Sequence, residues 1–307
     1  MSSNAVRSPD STRNLSRGWR SFGPNLLILP ALLPLILLIL LPAIRTVVMS
    51  FHDVTHGFDD VYVGFANYIA MVSHRAFNTA FLNTLIFSFS TVAGEVLIGL
   101  AVAVLVSTRF RAQRLLISLI MVPYAVSEVV AVIIWRYMLE PDIGIINFVL
   151  TRFLGMGQVQ WATELYQTWI LIILLRVWVQ FPFSFLIIYS SLIGIPQELH
   201  ESAHIDGASN WKAFTNISLP LISPAIVIAS IFAFVFAFRN FATVWVLTRG
   251  GPIGRTELLS TMLYKQAFRH WQFGLASAIA VVMTVLTFLI SAYYLRSMFK
   301  GMFGQRR

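Results

Sequence analysis

The stretch ELHESAHIDGASNWKAFTNISLPLISP, residues 198–224, stands between two long apolar runs. It carries three carboxylates, Glu198, Glu201 and Asp206, against one lysine, Lys212, and it turns at Gly207. An apolar chain on either side of such a segment must satisfy its backbone internally in lipid, which only helices and closed barrels do. Barrel strands alternate in polarity over about ten residues, whereas the flanking runs are continuously apolar, so they read as helices. Composition agrees. Of 307 residues, 57% are hydrophobic and 11% charged, where a soluble domain carries about 25% charged residues. Such a chain lacks the polar surface to cover a soluble exterior. Cysteine is absent, which excludes disulfides and thiolate metal sites.

Working outward from that segment, apolar stretches recur at about 25–51, 80–106, 115–139, 168–195, 221–247 and 273–297. Each reaches the roughly 20 residues that a helical span needs. The expected fold is an all-α integral membrane protein with six transmembrane helices. The first span has too long an apolar core for a cleaved signal peptide, and Pro30, Pro34 and Pro42 predict a bend in it. Residues 1–24, rich in Ser, Arg and Asn, read as a disordered basic tail. Residues 298–307 form a second tail.

The net charge of +9 and pI near 10.2 would point to nucleic acid in a soluble protein. Here the cations flank apolar runs, which fits lipid headgroups instead, and no nucleic-acid partner is expected. With both termini on one side, twelve Lys and Arg residues fall there, among them Arg111, Arg114, Lys212 and Arg296, and six on the other. The positive-inside rule then puts both termini and residues 198–220 in the cytoplasm of a multi-pass cell-membrane protein. Trp161, Tyr166, Trp169 and Trp271 lie in the outer connections and suit an interfacial aromatic belt or a partner's surface.

The polar segment has internal structure. Pro196 fits the first turn of a helix, and Glu198 and Glu201 suit its positive end. Leu199, Ser202, Ala203 and Ile205 give that helix a small, partly apolar face. Asp206 and Gly207 break it, and Asp206 is expected to cap a second short helix in which Trp211, Phe214 and Ile217 recur. Two short helices around a glycine corner are expected. A loop lying on headgroups draws Lys and Arg, so one lysine against three acids fits protein docking better.

The residues ESAHIDGASNWKAFTNISLPLISP resemble the EAA loop of membrane subunits of ATP-binding-cassette importers. Glu201, Ala203, Gly207, Ile217, Leu219 and Pro220 match its pattern, and Ser202 stands where alanine is usual. The resemblance runs from about residue 25 to 297 and lies closest to the sugar-importer branch, that of the maltose and glycerol-3-phosphate permeases. VGFANY (63–68), NTLIFSFSTVAGEVLIGLAVAVL (83–105), VPYAVSEVVAVIIWRYML (122–139), GIINFVL (144–150) and VWVQFPF (177–183) resemble successive family segments. LTRGGP (247–252) with FGLASA (273–278) resembles the box of the first of two paired permeases.

The resemblance implies that residues 196–220 dock into a cleft on a cytoplasmic ATPase, through Glu201, Ser202, Ala203, His204, Asp206, Gly207, Ala208 and Pro220. It implies a second, homologous permease, an ATPase dimer that holds ATP and Mg, an extracytoplasmic solute-binding protein, and a sugar or sugar-phosphate cargo. The chain has no G-x-x-x-x-G-K-[ST] loop, so ATP hydrolysis by that chemistry needs a separate subunit. The expected role is a permease subunit with no covalent chemistry and no cofactor of its own.

Charges inside spans are costly and ask for partners or a wet cavity. Arg176, Gln180, Phe183 and Ser184 share one face of the fourth span. A guanidinium, an amide and an aromatic ring suit a sugar, and the family's cargo site is similarly placed; equally, Arg176 could pair with Glu95 or Glu128. Arg239 and Asn240 line an upper pathway or reach for the interface. Glu128 and Arg136 lie eight apart on the third span as pathway residues or as pairs with other helices. Glu95, between Gly94 and Gly99, reads as helix packing, with Gly99 and Ala103 in small-xxx-small spacing. His200 and His204 have i, i+4 spacing but no third ligand type at useful spacing except Asp206. An ion-coupled secondary transporter using Glu95 and Glu128 is the alternative. It calls for inverted repeats and interrupted helices at matching positions, which the sequence does not display. A membrane-embedded enzyme would need His and carboxylates clustered at membrane depth.

Overall fold

Continuous apolar sequence becomes helix because lipid offers no partner to a free N–H or C=O. A computed structural model describes residues 30, 32–55, 60–108 and 111–303, with side chains described as far as Arg296. The tail at 1–24, Arg109 and the last four residues of the 298–307 tail lie outside the described residues. In chain order come α1 (Leu32–Met49), a ribbon of β1 (His52–Asp53) and β2 (Val61–Tyr62), α2 (Ala66–Ser73) and α3 (Arg75–Ser107). They are followed by α4 (Gln113–Ala125), α5 (Glu128–Met138), α6 (Ile145–Leu154), α7 (Leu165–Ile193) and α8 (Gln197–Ile205). The chain closes with α9 (Asn210–Phe238), α10 (Ala242–Leu247), α11 (Leu259–Phe268) and α12 (Phe273–Phe303).

Among the described residues five helices, α1, α3, α7, α9 and α12, are long and apolar enough to cross a bilayer, and α4 with α5 make a sixth span when taken as one. The fold is thus a helical membrane bundle with one short β-ribbon. The ribbon is antiparallel, with His52 opposite Tyr62. It is held by Asn67 of the VGFANY segment, whose amide donates to the Ser50 and His52 carbonyls at 3.0 and 2.9 Å. Gly274 of the FGLASA segment lies so close to the His52 carbonyl that a Cβ there would collide with it.

Two spans are interrupted, contrary to the sequence reading. The third, expected as one helix over 115–139, bends by 93° between α4 and α5. Pro123 sits in the last turn of α4, where it removes a hydrogen bond and crowds the carbonyl four residues back. Val126 and Ser127 then adopt ψ of 140° and 131°. The fifth, expected over 221–247, ends as α9 at Phe238 and resumes as α10 at Ala242. No proline or glycine marks that second break. Prolines elsewhere are absorbed. Pro182 lies inside α7 without ending it. Pro42 and Pro220 each follow a π-helical turn, Ile36–Leu40 and Phe214–Ser218, that ends two residues earlier. The wider turn moves the carbonyl that the ring would otherwise meet, so α1 stays one helix through Pro42, with Pro34 in its first turn.

The axis of the bundle is the seam between α3 and α7. A Cβ on Gly94 would stand 2.8 Å from Val177 Cγ2, and one on Gly99 would stand 2.8 Å from the Phe185 backbone N. Both glycines are therefore sites of close helix approach, as small-xxx-small spacing anticipates. Two apolar clusters stack along this seam. One joins Ile117, Ile120 and Met121 of α4 to Phe185 and Ile188 of α7 and Ile222 and Ala229 of α9. The other joins Val132 of α5 and Leu139 just after it to Leu171, Ile172 and Leu175 of α7 and Val244 and Leu247 of α10. Trp161 turns inward beside the second cluster and donates to Asn147 at 3.1 Å, while Tyr166 is exposed. A third cluster ties α3 and α9 to α11 and α12 through Phe77, Phe234, Leu259 and Ile279.

Candidate functional site

Between the two stacked clusters lies a polar layer, at the level where both interrupted spans break. Glu95 of α3 is 0% exposed and Arg176 of α7 only 3%. Arg176 Nε lies 3.5 Å from Glu95 Oε1, and Nη1 donates to Glu128 Oε2 at 3.4 Å. Glu128, first residue of α5, also accepts through Oε1 from Asn240 Nδ2 and Thr243 Oγ1, each at 2.5 Å. The Asn240 carbonyl accepts from Ser260 Oγ at 2.5 Å. Arg176 pairs with both acids at once, and it also lines the cavity that opens at this layer.

That pairing predicts a large and non-additive mutational response. Removing one member of a buried pair leaves an uncompensated charge and costs about 3–5 kcal/mol. Arg176→Leu is expected to destabilise the purified protein by about that amount. Arg176→Leu with Glu95→Leu is expected to recover most of it, because the fully buried Glu95 carboxylate is gone and Glu128, 26% exposed, keeps its bonds from Asn240 and Thr243. Thermal unfolding in detergent measures both, and a double variant no more stable than the single one refutes the account.

A cavity of about 510 Å³ opens at this layer, bordered by Tyr124, Glu128, Gln180, Phe236, Arg239 and Asn240. Phe183 stacks on Tyr124 with ring centroids 5.8 Å apart and meets Phe236 edge-on. It backs the cavity's aromatic wall. Ser184, on the same helix, turns instead to Gly99. Asn240 Oδ1 is buried without a hydrogen-bond partner among the described residues. Arg239 is exposed beside the break and also borders a second cavity of about 900 Å³ reaching α1 and α12. Arg136 is exposed and does not meet Glu128. Tyr124, Phe236 and Thr243 escaped the sequence reading. Pro123 was the one signal that a break, and hence a lining residue, lay next to it.

The second polar region is the connection between α7 and α9. α8 ends in a Schellman motif: Gly207 N donates to the His204 carbonyl at 3.0 Å and Ala208 N to the Ala203 carbonyl at 2.9 Å. Gly207 takes φ +78°, the left-handed conformation this motif needs. The chain then re-enters a helix at Asn210, capped by Ser209, whose hydroxyl accepts from Lys212 N at 3.4 Å. Asp206, expected as that cap, instead ends α8. The expected second short helix is the first turns of α9, continuous with the span that follows. Glu201, Ser202, His204, Asp206 and Pro220 are exposed, Ala203 is buried and Ala208 half-buried. Glu201 accepts from Gln197 Nε2 at 2.8 Å, and the His204 ring lies 3.1 Å from the Ala208 carbonyl. Among the described residues no three of His, Asp and Glu are grouped to hold a metal ion.

The family model described as binding-protein-dependent transport system inner membrane component matches residues 95–299, a range that holds both polar regions. The chain is 33% identical over 272 residues to the trehalose/maltose transport system permease protein MalF of Thermococcus litoralis, across 88% of this chain and 92% of that one. It is 33% identical over 290 residues to the sulfoquinovosyl glycerol transport system permease protein SmoG of Agrobacterium fabrum, across 94% of each. Among solved structures, a bacterial alginate ABC transporter in complex with its alginate pentasaccharide-bound periplasmic protein has a chain of the same fold, with a TM-score of 0.79 at 20% identity, over 91% of this chain and 96% of that one. With a family match over most of its length and full-length relatives at one-third identity, the chain belongs to the inner-membrane permease components of binding-protein-dependent ATP-binding-cassette importers.

Proposed function

We propose that this permease is one of two similar subunits enclosing the path of an ATP-driven carbohydrate importer. The cavity at the break layer holds the cargo, and residues 196–220 dock on a cytoplasmic ATPase dimer that binds ATP and Mg. Both termini lie in the cytoplasm, and an extracytoplasmic solute-binding protein delivers a sugar, polyol or sugar phosphate from the other side.

The observation that carries the docking assignment is the α8–α9 corner. Its own hydrogen bonds order it, yet it presents Ile205 at 87% and Trp211 at 72% exposure. Exposed tryptophan on a preformed corner is the kind of anchor that protein interfaces use, and its acidic balance is poor for headgroups. Glu201, Ser202, His204, Asp206, Gly207 and Ala208 form the contact, Ala203 packs beneath it, and Pro220 shapes the entry into the span. Closure of the ATPase dimer then moves α9 through the Gly207 corner, because the span runs unbroken from Asn210, three positions after that glycine, to Phe238.

The cargo assignment rests on the cavity. Tyr124, Phe236 and the backing Phe183 supply aromatic faces for the apolar side of a sugar ring. Gln180, Arg239 and the unpartnered Asn240 Oδ1 supply hydrogen bonds for hydroxyls, and Arg239 also suits a phosphate. Similarity to permeases named for trehalose/maltose and for sulfoquinovosyl glycerol supports a carbohydrate. The ion-coupled alternative would use Glu95 and Glu128, and both are engaged by Arg176.

Two measurements test the reading. Glu201→Arg is expected to strip the ATPase from a complex purified through this chain, with the paired permease retained; an intact complex with intact uptake overturns the docking assignment. Gln180→Ala is expected to raise by roughly tenfold the cargo concentration that half-saturates uptake, the value of about one buried hydrogen bond. An unchanged value removes Gln180 from the site.

A further inference from the structure

The two breaks are joined to each other, and one side chain does the joining. Glu128 begins α5, immediately after the 93° bend. Its Oε1 accepts from Asn240, within the α9–α10 break, and from Thr243, in the first turn of α10. Its Oε2 faces Arg176, which Glu95 backs from α3. The first carboxylate oxygen thus reads the fifth span and the second reads the fourth. Beyond this contact, Val132 of α5 and Leu139 at its end share one apolar cluster with Val244 and Leu247 of α10, against Leu171, Ile172 and Leu175 of α7. On the other side of the breaks, α4 and α9 pack in a different cluster. α3 and α7 run unbroken through both clusters, so the third and fifth spans alone are divided at this level, with a polar layer and a cavity beside their breaks.

We infer that Glu128 is a positioning residue that pins α5 to α10, so that the two half-helices move as one rigid body about hinges at 126–127 and 239–241. Packed cores resist gradual deformation, so motion concentrates at element ends that can absorb changes in φ and ψ. Both breaks are such ends. Hydrogen bonds to a carboxylate in a poorly solvated layer are stronger than neutral ones, and Glu128 makes them across the two spans that would otherwise hinge independently. Independent hinging would reshape the cavity wall without opening it. The inference rests on reading that cavity as the cargo path.

The test uses the full complex. The chain has no native cysteine, so spin labels can be placed by Tyr137→Cys on α5, Val246→Cys on α10 and Leu119→Cys on α4. Pulsed electron resonance then compares nucleotide-free complex with complex trapped by ATP and vanadate. The 137–246 distance is expected to stay narrow and constant between states while the 137–119 distance changes. In Glu128→Leu the 137–246 distribution is expected to broaden at least about twofold, and saturated uptake to fall roughly tenfold, the scale of a lost charge-assisted hydrogen bond, with ATP hydrolysis continuing. Glu128→Gln keeps an acceptor for Asn240 and Thr243 and is expected to preserve the narrow distribution. If Glu128→Leu fails to assemble, Asn240→Leu removes one of the pin's two donors, and only its 137–246 distribution is read, because Asn240 also borders the cargo cavity.

A 137–246 distance that changes between states in the parent protein overturns the inference. So does an unbroadened distribution in Glu128→Leu or Asn240→Leu. A raised half-saturation with unchanged maximal uptake in Glu128→Leu also overturns it, since that is the signature of a cargo ligand. Gln180→Ala separates the two layers of argument: if its half-saturation does not move, the path assignment fails, while the label distances still decide the pin.

Discussion

Gly207→Pro is expected to reach the membrane at the parent level and to abolish ATP-driven uptake. Gly207 has φ +78°, and proline is held near −65°, so the substituted corner must take another course. Proline also removes the N–H that bonds the His204 carbonyl. No atom stands within 4 Å of a Cβ at this position, so the effect is conformational and leaves the bundle's packing intact. Only two residues separate Gly207 from Asn210, where the helix of the fifth span begins, so a misdirected corner displaces Trp211 and the proposed docking surface as a unit. Gly207→Ala supplies the graded control: a left-handed alanine costs about 1–2 kcal/mol, and reduced uptake is expected. Vesicle uptake, with the amount of inserted protein measured in parallel, decides it. Retention of more than half the parent rate by the proline variant would mean that this corner is not the mechanical joint.

Gly99→Leu is expected to remove the folded protein altogether. The added Cβ would meet the Phe185 backbone N at 2.8 Å and the Ser184 backbone C at 3.1 Å. Backbone in the middle of a continuous helix cannot step aside, so α3 and α7 must separate. Overpacking in a core ordinarily costs about 1–3 kcal/mol; here the remaining side-chain atoms lie beyond a Cβ that already clashes, and the loss exceeds that range. Separation would also pull Glu95 away from Arg176. Gly94→Ala is the contrast, because its Cβ would meet Val177 Cγ2, a side-chain methyl that can rotate. It is expected to cost about 1 kcal/mol. Size-exclusion profiles of detergent extracts distinguish the two, and a monodisperse Gly99→Leu peak at parental yield would show that the seam is looser than described.

Some of this was legible in the residues themselves. Gly94, Gly99 and Ala103 announced a close helix seam through their size and spacing. Gly207, with acids before it and an apolar rhythm after it, announced an ordered corner between spans. Arg176 and Glu95 announced a need for partners, because a charge in a span is costly wherever it points. The cap at Ser209 was missed because Asp206 and Ser209 are both good caps, and only the Schellman geometry at Gly207 decides which one starts the next helix. The break at 239–241 was missed because no proline or glycine stands there. It is held by Ser260, twenty residues on, and by Glu128, 112 residues back.

Taken alone, the sequence determined the solvent, the helical class of the spans and the position of the polar corner between two of them. Those properties depend on hydropathy summed over neighbouring residues and on the local chemistry of turns, and both are carried by adjacent positions. Only the tertiary structure decided that Arg176 sits between two carboxylates, that two spans break at one level, and that Tyr124, Gln180, Phe236 and Asn240 border one cavity. The reason is that helices such as α3, α9 and α12 are apolar on nearly every side. A helix in lipid has no polar face to mark which side packs, so its rotation against its neighbours, and with it every contact between distant polar groups, is set by how the side chains interlock.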